Sequence, residues 1–165
     1  MKMKLTTAVL LTTLSSTSFA QTPAHVTFAL DRSGSNPNEV DSFRNAAAKH
    51  AKNTVKAMNM GDSVAVMTFG DGGLRNFQLT KPVKLSARMR PSHVAVALEK
   101  AIITMAEEAA QNPQNETRIM SFFEDSYREF QCASGNAKVI AYTDGVEHSK
   151  ELIGKQFVFD KKQLP

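Results

Sequence analysis

Three short segments of the chain are apolar almost without interruption: His25 to Leu30 (HVTFAL), Ser63 to Phe69 (SVAVMTF) and Ala137 to Tyr142 (AKVIAY). Each is rich in β-branched or aromatic residues, and each is bounded by polar residues or glycine. Strands that are apolar on both sides belong in a parallel sheet with helices on both faces. Between these segments the period lengthens. Val40, Phe43, Ala47, Ala51, Val55 and Met58 recur at spacings of three and four, and Gly61 follows as a helix stop. Val94, Ala97, Leu98, Ala101, Ile102 and Met105 repeat the pattern up to Pro113. Ile119, Phe122, Phe123, Ser126, Tyr127 and Phe130 make a third amphipathic stretch, closed by Gly135. Alternating strand and helix predicts an α/β fold, Rossmann-like and three-layered, with right-handed crossovers.

One connection breaks the alternation. Gly70-Asp71-Gly72-Gly73 is too short for a parallel crossover and reads as a hairpin turn. It leads into Leu74 to Thr80, expected as an antiparallel edge strand on an otherwise parallel sheet. Gln156 to Phe159 is a further strand candidate before the sequence stops at Pro165. With no internal repeat, linker or low-complexity stretch, residues 21–165 read as one domain.

The first twenty residues stand apart. Lys2 and Lys4 precede a short apolar run from Thr6 to Leu14, and Ser18-Phe19-Ala20 supplies small residues around a cleavable bond. That order is the pattern of a secretory signal peptide, residues 1–20, and the run is too short and too rich in Thr and Ser to span a bilayer. The expectation is an exported protein, periplasmic or secreted, without stable membrane insertion after cleavage. Composition fits the rest: 165 residues, 42% hydrophobic and 22% charged, with one cysteine, is ordinary for a globular domain. The formal charge of +4 includes two leader lysines. The remainder offers no clustered basic face, so no nucleic-acid partner is expected. Lys84, Arg88 and Arg90 form a small local group that reads as solvated surface. Cys132 has no partner for an internal disulfide.

The chemistry concentrates at strand ends. The first strand runs into Asp31-Arg32-Ser33-Gly34-Ser35, the third apolar run into Thr143-Asp144-Gly145, and Ser92 opens the second helix. In a parallel sheet the carboxyl ends of strands gather at one edge, where ligands bind. Asp31, Ser33, Ser35, Ser92 and Asp144 are therefore expected to converge. All five offer oxygen, the donor that suits Mg²⁺ or Mn²⁺. Two carboxylates balance a divalent charge, and neutral hydroxyls leave the ion receptive to an acidic group from outside. Asp31 and the serines also suit helix caps and turns, but capping accounts for only part of the set.

Asp31-x-Ser33-x-Ser35 after an apolar strand, a hydroxyl before the next major helix, and Thr143-Asp144-Gly145 after a later strand together resemble the von Willebrand factor type A domain and its metal-ion-dependent adhesion site. Gly61-Asp62-Ser63-Val64 and Phe69 add to the likeness, which covers about residues 24–159. The resemblance implies that Ser33 and Ser35 bind the metal through their hydroxyls. Asp31 and Asp144 would act directly or through water, and Ser92 stands where the family usually has Thr. It further implies a non-enzymatic binding module that grips an acidic side chain of a protein partner. Two departures accompany it. Residues 115–131 read as an extra helical stretch. The short C-terminal end is either a degenerate feature or a sheet edge that a partner completes by strand addition.

Other chemistries find less support. A phosphoaspartyl enzyme would need a second Asp where Ser33 stands. No Ser lies in a G-x-S-x-G elbow, and the four histidines show no zinc spacing. A metal-dependent hydrolase of phosphoesters or peptides, and a scaffold that keeps the fold without metal, are the alternatives.

Overall fold

A computed structural model describes residues 22–71, 81–129 and 136–146. The leader, the Leu74–Thr80 strand, Cys132 and the Gln156–Phe159 strand fall outside the described residues. The elements run β1 (His25–Asp31), α1 (Asp41–Lys56), β2 (Ser63–Phe69), β3 (Val83–Lys84), α2 (Pro91–Gln111), α3 (Ile119–Glu129) and β4 (Ala137–Tyr142). The four strands form one sheet in the order β3-β2-β1-β4. β1 is central and parallel to both neighbours, with His25 opposite Ser63 and Ala137, and Leu30 opposite Thr68 and Tyr142. β3 is antiparallel and pairs only with the beginning of β2, Lys84 against Ser63 and Val83 against Val64. The expected α/β architecture is thus present: a mostly parallel sheet, one antiparallel edge strand, and helices on both faces.

Side-chain alternation along the strands assigns the two faces. Val26, Phe28, Val64 and Val66 point to α1 and α2, where they meet Ala48, Ala51, Val55, Val94, Leu98 and Ile102. Ala29, Met67 and Phe69 point the other way, onto Ile119 and Phe122 of α3. Phe69 and Phe122 stack with ring centroids 4.1 Å apart. The residues 115–131 expected as an extra stretch therefore supply the helix that covers the second face. Small residues on α1, Ala47, Ala48 and Ala51, are buried where the helix lies on the sheet. α1 ends at Lys56, earlier than its periodicity suggested, and Gly61, at φ +98°, serves the turn into β2.

Chain direction decides what each end of the sheet carries. β3 returns the chain to the starting end of β2, where Leu85 N donates to Asp62 O (2.7 Å) and Gly61 N to Leu85 O (2.9 Å). Only five residues separate Leu85 from Pro91, and Ser86 to Met89 is a closed turn, Ser86 N donating to Met89 O. α2 therefore starts at the amino end of the sheet. Its buried face packs against α1 and the sheet, and Lys52 near the end of α1 pairs with it, Nζ 2.7 Å from Glu99 Oε2. At about 1.5 Å per residue, α2 rises some 30 Å, enough to pass the full height of a seven-residue strand at roughly 3.3 Å per residue. It delivers residues 112–118 to the carboxyl edge.

Candidate functional site

At that edge the end of β1 turns sharply. Asp31 is fully buried, and its Oδ1 accepts the Ser33 amide at 2.8 Å. Ser33 Oγ and Ser35 Oγ share a hydrogen bond at 3.3 Å, with Ser33 buried and Ser35 exposed. Asp31 Oδ2 accepts the Thr143 hydroxyl at 2.7 Å, which ties the end of β1 to the residue after β4. Thr143 Oγ1 also accepts the Gly145 amide at 3.1 Å, and Asp144 Oδ1 accepts the Val146 amide at 2.9 Å. Asp144 itself is exposed. Burial pushes the Asp31 carboxyl above its ordinary range; the hydrogen bonds from Ser33 and Thr143 act against that rise, and the charge of Asp144 adds to it. Among the described residues Asp31 has no ion-pair partner. Two acids thus lie close together at this edge without a described side-chain cation to offset them.

The serine loop does not cap a helix. α1 begins after Val40, which makes no side-chain cap, ten residues beyond the start of the turn. Two buried asparagines hold the intervening loop. Asn36 Nδ2 and Asn38 Nδ2 both donate to the Asp31 carbonyl, at 3.0 and 2.8 Å, and Asn36 Nδ2 also donates to Asn38 Oδ1. Arg44 Nη1 donates to Asn38 O, which anchors the loop to α1. Sequence reasoning passed over Asn36 and Asn38. Their signal was two amide side chains two apart, just after the hydroxyl-rich turn, a pattern that favours local side-chain-to-backbone bonding.

The structure brings Asp31, Ser33, Ser35 and Asp144 to one edge but leaves Ser92 out. Ser92 is exposed in the first turn of α2, at the opposite end of the sheet, on the helix that packs against the opposite face from α3. His93 lies there with it. The expected convergence of Ser92 fails because β3 carries the chain downward before α2 begins.

The strip that follows α2 takes that place. Gln114 forms a parallel bridge with Ser33, receiving the Gly34 amide on its carbonyl (3.0 Å) and giving its own amide to Arg32 O (2.8 Å). Gln114 Oε1 accepts the Asp71 amide at 2.7 Å, and Arg118 N donates to Gly70 O at 3.3 Å. The strip so crosses the carboxyl ends of both β1 and β2. A Cβ at Gly70 would come within 2.0 Å of Gln114 Oε1 and would push that side chain off the Asp71 amide. Thr117 sits on this strip just before α3, fully buried, and among the described residues its Oγ1 has no hydrogen-bond partner. A buried hydroxyl left without a partner costs about 1–3 kcal/mol.

The donor set, two carboxylates and several hydroxyls, is of the type that hard divalent cations accept. Among the described residues no group of three or more His, Cys, Asp and Glu side chains gathers, so a zinc-type or all-carboxylate centre has no basis there.

No protein-family model and no curated protein matches the chain. Among solved structures, the crystal structure of the pilus adhesin SpaC from Lactobacillus rhamnosus GG, in its open conformation, is similar with a TM-score of 0.48 and 20% identity. The likeness covers 76% of this chain and 15% of that one. Among the described residues no helix is long and apolar enough to cross a membrane.

Proposed function

We propose that this chain is an exported, non-enzymatic binding module of the von Willebrand factor A type, which grips an acidic group of a protein partner through a divalent cation, Mg²⁺ or Mn²⁺. Asp31, Ser33, Ser35 and Asp144 would hold the ion, with the Thr117 hydroxyl serving in the role that the sequence pattern had given to Ser92. The cation would supply positive charge at an edge where two acids otherwise repel, and a coordination position for an incoming carboxylate. The chain's own part is preorganisation. Asn36 and Asn38 hold the loop, the Ser33 amide and Thr143 orient the Asp31 carboxylate, and α3 with its Phe122–Phe69 stack sets the height of Thr117.

The observation that carries this reading is the fully buried Asp31 beside Asp144, with hydroxyls around it and no described cationic side chain as partner. The test is thermal unfolding of the wild type and of Ser33→Ala/Ser35→Ala across a Mg²⁺ and Mn²⁺ titration, with chelated protein as reference. The wild type is expected to gain about 2.7 kcal/mol at a hundred times the dissociation constant, and the double variant much less. Equal responses would remove the metal from the reading.

A second reading has its own support. Both Asp31 oxygens already accept hydrogen bonds, from Ser33 N and Thr143 Oγ1. The same carboxylate would then serve as a clamp between β1 and β4 in a scaffold that works without metal. A wild type that does not respond to either ion, yet captures its partner equally well in chelator, would select this alternative.

A further inference from the structure

We propose that the mature chain begins at Gln21 and that this residue closes on itself to a pyroglutamate, a covalent modification that seals the approach to β1. This rests on the proposed export of the chain, because it needs the peptide bond between Ala20 and Gln21 to be cut. Ser18-Phe19-Ala20 supplies the small residues that such a cut requires, and the residue that follows is glutamine. Cleavage leaves Gln21 with a free α-amino group. An α-amine has a pKa of about 8, so an appreciable share is unprotonated near neutral pH and can act as a nucleophile. Its nitrogen attacks Cδ of the same residue's side chain. A C–N bond forms and closes a five-membered lactam, the bond from Cδ to Nε2 breaks, and the proton lost by the α-amine leaves with Nε2 as ammonia. One amide is exchanged for another, so no oxidant, reductant or co-reactant takes part.

The start of β1 is what this modification protects. Thr22 and Pro23 are exposed. Among the described residues the first hydrogen bonds come at Ala24, whose amide donates to Asp62 Oδ1 at 2.8 Å and whose carbonyl accepts the Ser63 amide at 2.9 Å. The other oxygen of that carboxylate, Asp62 Oδ2, accepts the Asn59 amide at 2.8 Å. Asp62 so joins the entry of β1 to the turn that leads into β2. His25 N then donates to Asn136 O at 2.7 Å, beside the start of β4. Residues 21–23 are thus all that separates the cut from the first anchored position. Trimming as far as Ala24 would remove the link to Asp62 and with it the tie between the two strand entries. An aminopeptidase begins from a free α-amine. The lactam offers none, and it also removes the positive charge of the terminus.

The test is the intact mass of the full chain, expressed with its leader and recovered after export, together with N-terminal sequencing before and after treatment with pyroglutamate aminopeptidase. The expected mass is that of residues 21–165 less one ammonia, with sequencing blocked until the enzyme exposes Thr22. Gln21→Ala should carry its full uncyclised mass and be open to sequencing without treatment. A broad aminopeptidase should leave the wild type at its starting mass and remove at least the first residue of Gln21→Ala. A full mass for residues 21–165 that persists on incubation, with an open terminus, would overturn the lactam and leave export intact. A retained leader, or a cut at another bond, would overturn the proposal together with the cleavage on which it rests.

Discussion

Thr117→Val separates a hydroxyl kept for a ligand from one kept for the fold. The substitution preserves the β-branched shape and replaces only Oγ1 by a methyl group. Thr117 is fully buried and its hydroxyl has no partner among the described residues, so in chelator the wild type is expected to carry the desolvation penalty of an unsatisfied group, about 1–3 kcal/mol. The variant sheds that penalty and should be more stable by a similar amount, a rise of a few degrees in melting temperature for a domain of this size. Added Mg²⁺ should narrow the advantage. At a hundred times its dissociation constant the ion stabilises the wild type by about 2.7 kcal/mol. If loss of the donor weakens affinity about tenfold, the variant gains roughly 1.4 kcal/mol less at the same concentration. Urea denaturation followed by circular dichroism, in chelator and at several Mg²⁺ concentrations, measures both quantities. Thr117→Ser, which retains the oxygen, should keep the metal response. A Val variant that is less stable than the wild type in chelator, with an unchanged metal increment, would refute the argument, because the hydroxyl would then be contributing to folding alone.

Three further outcomes follow from the same structure. Ser92→Ala should leave the Mg²⁺ increment unchanged in the same denaturation series, since Ser92 lies at the far end of the sheet; a reduced increment would contradict the placement of α2. Phe122→Ala removes a fully buried ring stacked on Phe69 and should cost about 3–5 kcal/mol, read as a lower urea midpoint, with metal affinity falling too because α3 positions Thr117. His25 is held by Ser63 Oγ at 2.8 Å and Thr27 Oγ1 at 3.1 Å, and burial lowers its pKa from the ordinary 6.5. The unfolded chain then takes up the proton first, so its contribution to stability is complete above pH 6.5 and is lost as pH falls below it toward the lower folded value. His25→Gln should flatten that slope between pH 7 and 5 in a denaturation series.

Much of the fold could be read from periodicity alone because its layers impose simple patterns. β1, β2 and β4 begin and end within a residue or so of the three apolar runs; β1 and β2 are buried on both faces and have no reason to alternate, while β4 is only partly buried. The helices were legible from their stripes, and Ile119, Phe122 and Ser126 are the buried face of α3. What periodicity could not supply was the job of that helix. A stripe says that a face is covered, not which face of which sheet it covers, so α3 read as an addition when, among the described residues, it forms the second layer. Likewise Asn36 and Asn38 carry no periodic signal; their role arises from a single carbonyl, that of Asp31, which two side chains seek at once.

The proposed exchange of Ser92 for Thr117 follows from direction. A hydroxyl at the start of a helix is a sound signal only if that helix starts at the ligand edge. A parallel strand ends at that edge, so a helix that directly follows one begins there. An antiparallel strand ends at the opposite edge, and the five residues between Leu85 and Pro91, folded into the Ser86–Met89 turn, do not carry the chain back. α2 has to make the ascent itself, and the first buried hydroxyl available after it is Thr117. One reversed strand, here Val83–Lys84, moves the next helix start to the other end of the sheet; the expected strand Leu74–Thr80 lies outside the described residues. Following strand direction, beyond strand and helix order, would have taken the search past Ser92 to the residues between α2 and α3.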